Sequence, residues 1–138
     1  AFLQEMGKIL ISNDIIQEDE DTSFKSEIDM TMNIAQVERE YAEVSSSEVT
    51  AEVFAHWGFG EQFVEMIRYA DNPDEAPAEI KEYSVALNIV KTALPINKPF
   101  SDHAINFALT KARDAGLNHE LLEDVIDDML DIIEDENE

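Results

Sequence analysis

The stretch from Ser45 to Tyr69 constrains the fold more than any other part of the chain. Ser45 and Glu48 have the spacing of a capping box, in which the hydroxyl accepts from a first-turn N–H while the glutamate reaches back to the cap. Val49, Val53, Phe54 and Trp57 follow at three- and four-residue steps and share one helical face, with Ala51 and Ala55 leaving room for close packing beside it. Gly58 can take the left-handed conformation that ends a helix. Gly60 then lets the chain turn before Phe63, Val64, Met66 and Ile67 open a second apolar stripe. The pattern predicts two helices joined by a tight corner, with Trp57, Gly58 and Phe59 as its structural anchor and the Trp57 ring in the core.

Helical signals continue on both sides. Apolar residues from Ala1 to Ile11 predict a helix ending near Asn13, and Gln17 to Ser23 reads as an acidic turn. Asp19, Asp21 and Ser23 alternate as calcium-loop ligands do, but Phe24 stands where such a loop needs glycine and Met30 where it needs a bidentate glutamate, so the turn is a solvated one. From Ser23 to Tyr41 the spacing is mostly helical, with a brief alternation that resolves if Asn33 caps a fresh helix from Ile34 to Glu43. Pro77 suits the first turn of a helix from about Ala78 to Thr92, with Ile80, Tyr83, Ala86, Leu87, Val90 and Leu94 facing inward. Pro95 and Pro99 break the chain again. Ser101 caps a helix from Asp102 to Asp114, Gly116 stops it, and Asn118 caps the last. In that last helix Leu121, Leu122, Val125, Ile126, Met129, Leu130 and Ile133 form the apolar stripe. Residues 134–138 form an acidic tail expected to fray, because acids oppose the negative end of a helix dipole.

At 138 residues the chain is expected to be a single domain, residues 1–138, able to bury about two-thirds of its unfolded surface. With no cysteine it has neither disulfides nor thiolate chemistry, which fits a reducing, cytoplasmic setting. Thirty-two acidic residues against nine basic ones leave a formal charge of −23, a field that repels phosphate backbones and anionic lipid. Nucleic acid and membranes are therefore not expected as partners; a protein partner selected by charge would be basic.

No catalytic constellation stands out. His56, His103 and His119 lie on different helices or caps, and no two have the spacing of a paired-histidine metal motif. The three serines from Ser45 sit where capping hydroxyls belong rather than on a nucleophile elbow. Gly58 and Gly60 lack the Lys-Ser or Lys-Thr of a phosphate loop, and Gly7-Lys8 lacks the preceding glycine.

A helix ending in Trp57-Gly58-Phe59, followed by Val64 to Tyr69, resembles the HDOD family, bacterial signalling modules related to the HD-type metal phosphohydrolases. Phe2 to Lys8 is similar to the family segment that carries a His-Asp pair before Ile-Gly-Lys, and Glu38 is similar to the glutamate preceding the next helix. The likeness covers most of residues 1 to 90. It implies an all-α, HD-like bundle of about six to seven helices, here the C-terminal portion without its N-terminal helices. It further implies that the surface those helices would cover is apolar and pairs with a second copy.

The resemblance also implies that the metal ligands of active HD enzymes are replaced. Gln4 and Glu5 stand at the His-Asp pair, Ser46 at a later histidine, Ala70 and Asp71 at the paired histidines, and Asn88 or a neighbour near the final acidic ligand. Amide, hydroxyl and methyl groups do not supply the nitrogen donors that hold catalytic iron, manganese or zinc. The implied protein has no metal, no cofactor and no catalytic residue. It keeps a vestigial pocket near Gln4, Glu5, Ser46 and Asp71, and acts as a non-catalytic regulatory domain through protein–protein contacts. The alternatives are a divergent phosphohydrolase that binds magnesium or manganese through carboxylates, acting on nucleotides or cyclic dinucleotides, and an acidic mimic of nucleic acid.

Overall fold

Eight α-helices and two short 3-10 turns carry most of the chain, and no strand occurs among the described residues. The computed structural model describes residues 2–31, 33–95 and 97–137, with the backbone alone at Phe2, Gln4 and Asn137. The helices are α1 (Met6–Gln17), α2 (Asp21–Met30), α3 (Ile34–Ala42), α4 (Ser46–His56), α5 (Glu61–Arg68), α6 (Lys81–Ala93), α7 (Asp102–Asp114) and α8 (His119–Asn137). They form two compact units, residues 1–88 and 89–138. The all-α expectation holds, with eight helices rather than six or seven. One boundary is the break before α3, where the Asn33 side chain accepts from the Gln36 N–H.

In residues 1–88, α4 packs against α1 on one side and α5 on the other, while α2 and α3 pack on each other and on α1. Ile11, Ile15, Phe24 and Val37 make one buried cluster, joined by Ile28, Tyr41 and Val49. Ala51, Phe54, Val64 and Ile67 make a second, joined by Met6, Val53 and Leu87. Gly7 sets the approach of α1 to α4. Its N–H donates to Thr50 Oγ1 at 2.8 Å, and a Cβ there would lie 2.0 Å from the Ser46 carbonyl oxygen.

The corner between α4 and α5 is a Schellman motif. Gly58 has φ +80°, its N–H donates to the Ala55 carbonyl, and the Phe59 N–H reaches back to the Phe54 carbonyl. The expected anchor is corrected here. Phe54 is 2% exposed, whereas Trp57 and Phe59 are 54% and 46% exposed and stack against it at 5.7 and 4.9 Å. Trp57 is the last residue before the glycine, so its side chain follows the helix end outward, while Phe54 one turn earlier faces α5.

α6 begins at Lys81, three residues later than expected, because Ala78 to Ile80 form a turn in which the Ile80 N–H donates to the Pro77 carbonyl. Its inner face is also more polar than predicted. Tyr83 and Ala86 are exposed; Ser84 and Asn88 instead donate to the carbonyls of Met66 and Ala70 at the end of α5. Helix-end carbonyls without intrahelical partners draw hydroxyl and amide groups inward where an apolar pattern would not.

In residues 89–138, α7 packs on α8 and buries Ala104, Ala108 and Ala112, which repeat every four residues. Ser101 and Asn118 cap α7 and α8 as expected, and Gly116, at φ +71°, ends α7. Of the α8 stripe only Ile126 is fully buried. α8 is helical as far as Asn137.

Candidate functional site

Three helices bring their polar positions together at the start of α4. Ser45, Ser46, Ser47 and Thr50 are all fully buried there, at a helix N-terminus whose unpaired N–H groups suit hydroxyl side chains. The capping box is formed on both sides: Glu48 Oε2 accepts from the Ser45 N–H at 2.7 Å, and Ser45 Oγ accepts from the Glu48 N–H at 3.4 Å. Thr50 Oγ1, besides accepting from Gly7, donates to the Ser46 carbonyl at 2.7 Å.

Glu38 projects from α3 into this cluster and is 2% exposed. Its Oε2 accepts from the Ser46 N–H at 2.7 Å, placing a carboxylate at the positive end of α4. Its Oε1 accepts from Lys8 Nζ at 3.0 Å. The same ammonium donates to Ser46 Oγ at 3.1 Å and pairs with Glu5 Oε2 at 3.3 Å. Two of the three N–H groups of the ammonium are thus used in hydrogen bonds, and Glu5 adds an ion pair.

Burial acts to lower the Lys8 pKa, but the charges of Glu38 and Glu5, the hydrogen bond to Glu38 and the charge of Asp71 outweigh it, and the net shift is upward. Lys8 is therefore a fixed cation at neutral pH. Of the residues expected to line a vestigial pocket, Glu5 and Ser46 touch Lys8 directly and Asp71 is near enough to act on it through its charge. The Gln4 side chain lies outside the described residues. Ala70 is buried and its carbonyl accepts from Asn88 at 2.8 Å.

Sequence reasoning missed Lys8, Glu38 and Thr50 as site residues, and Lys8 is the central one. It is the one basic residue before Lys25, it follows Glu5 by three positions, and it sits beside a glycine in a helix. Those features together were the available signal.

A metal of the kind used by HD-type hydrolases does not fit these residues. Such ions need several imidazole or carboxylate donors at roughly 2.0–2.6 Å, whereas here the carboxylates of Glu5 and Glu38 converge on an ammonium. His56, His103 and His119 belong to other regions, and among the described residues no three His, Asp or Glu side chains are grouped to hold an ion.

The family model of the HDOD domain matches residues 1–73, the part that contains α1 to α5 and the whole Lys8 cluster. The chain belongs to the HDOD family. A solved structure with the same fold is a virulence factor from Campylobacter jejuni subsp. jejuni, 23% identical with a TM-score of 0.58, matched over 83% of this chain. The chain spans 44% of that structure's length. No curated protein matches the chain significantly. The matched HDOD segment contains Glu5 and Glu38 with Lys8 held between them.

Proposed function

We propose that this HDOD domain is a non-catalytic regulatory module that works by binding another protein. Membership of the family makes it a signalling-related, HD-like domain; the absence of catalysis and the mode of action are our inference. The observation that carries it is the Lys8 ammonium, held by Glu38, Ser46 and Glu5 within 3.0–3.3 Å. An internal cation there offsets part of the carboxylates' charge and occupies the oxygens that would otherwise hold a catalytic metal ion. Gln4, Glu5, Ser46 and Asp71, in place of the relatives' ligands, would then serve structure.

Such a module would be bacterial and cytoplasmic, and among the described residues no helix is long and apolar enough to cross a membrane. Its charge of −23 favours a basic protein partner over nucleic acid. The 3-10 turn Phe2–Glu5 and α1 present Leu3, Ile9, Leu10 and Ile16 to solvent, an apolar surface suited to pairing with a second copy, which light scattering would detect as a dimer.

Turnover assays on nucleotides and cyclic dinucleotides with added magnesium or manganese test the non-catalytic assignment. No turnover above the rate of a Glu38→Gln variant is expected. Turnover that this substitution abolishes would make the divergent phosphohydrolase the correct assignment.

A further inference from the structure

α8 exposes more apolar surface than its neighbour in the fold covers. At about 100° per residue, Leu122, Ile126 and Leu130 form one row, with Ile126 buried and the other two half-buried. The adjoining rows hold Met129, Val125, Ile132 and Leu121, which are 42%, 46%, 58% and 59% exposed. Next around the helix come Asp128, Asp124 and Asp131. From Glu120 to Glu138 the sequence has ten acidic residues and no lysine or arginine.

The rim of carboxylates selects what can cover this edge. A second copy docked by this edge would set two helices that carry only acidic charges face to face, and anionic lipid would be repelled as well. What matches an apolar row bordered by acids is another helix whose apolar row is bordered by lysine and arginine.

We infer that the exposed edge of α8, formed by Leu121, Val125, Met129 and Ile132, docks a basic amphipathic helix of a partner protein. This names the partner chemistry for the protein-binding function proposed above and rests on it. The turnover assay and the binding assay below fail independently.

The test is fluorescence anisotropy of the 138-residue chain with a labelled synthetic helix of leucine and lysine, leucines at three- and four-residue spacing. The control peptide has the same composition in an order that forms no apolar face. The amphipathic peptide is expected to bind at least about tenfold more tightly than the control, a difference of about 1.4 kcal/mol, and to weaken as salt is raised. Val125→Asp/Met129→Asp, both at exposed positions, should remove that advantage. Equal affinity for the two peptides would overturn the inference, as would unchanged binding by the double variant. A dimer in equilibrium sedimentation that the double variant abolishes would overturn it too, by making a second copy the occupant.

Discussion

Lys8 Nζ and Glu38 Oε1 lie 3.0 Å apart, with the lysine side chain 12% exposed and the glutamate 2% exposed. Removing one partner of such a pair strands the other charge in a poorly solvated place, which typically costs about 3–5 kcal/mol. Lys8→Met should therefore destabilise residues 1–88 by about that much in urea unfolding. Lys8→Met/Glu38→Gln should recover much of the loss, since a neutral pair leaves no stranded charge. A double variant as unstable as the sum of the two single ones would mean the two side chains are not coupled.

The raised pKa of Lys8 gives the coupling a pH signature. A lysine whose folded-state pKa exceeds its unfolded value contributes stability fully below the unfolded value, about 10.4, and loses it as pH rises through the folded one. The stability gap between the wild type and Lys8→Met should stay constant through neutral pH and up to about pH 10, then close at higher pH. Tyr41, whose pKa is raised chiefly by its hydrogen bond to Glu27, is common to both proteins and cancels in the comparison.

Gly7→Ala should destabilise, although alanine normally favours a helix over glycine by about 1 kcal/mol. The new Cβ would fall 2.0 Å from the Ser46 carbonyl oxygen and 2.8 Å from Thr50 Oγ1, so α1 must move away from α4. A loss of about 1–3 kcal/mol is expected in thermal or denaturant unfolding. A gain would show that α1 and α4 are further apart than described here.

At the α4–α5 corner, Phe54→Ala should cost about 3–5 kcal/mol, and Trp57→Ala only about 0.5–1.5 kcal/mol from its lost ring contact. The difference follows from 2% against 54% exposure. Equal losses would mean that Trp57 is buried after all.

How legible this was in the sequence depended on whether a feature is set locally. The capping box at Ser45, the glycine stop at Gly58 and the caps at Asn33, Ser101 and Asn118 need only nearby residues, and each forms as read. Trp57 was misplaced because hydrophobicity does not reveal which way the last side chain of a helix points. The inward bonds of Ser84 and Asn88 are not legible because their partners, the Met66 and Ala70 carbonyls, are eighteen residues away. The same distance problem hid the site's centre. The resemblance drew Glu5, Ser46 and Asp71 together, but it did not point to Lys8 as the cation beside them. Lys8 reaches Glu38 and Ser46 only because Gly7 lets α1 lie against α4, and a sequence pattern does not show that approach.

The central claim is that an ammonium, and not a metal ion, balances the carboxylates of Glu5 and Glu38. A ligand that binds the native state alone raises stability by about 2.7 kcal/mol at one hundred times its Kd, so thermal unfolding with increasing manganese reads occupancy directly. Any rise in Tm should be equal in the wild type and in Glu38→Gln, reflecting only general screening of the acidic surface. A manganese-dependent rise in the wild type that Glu38→Gln abolishes would contradict the claim.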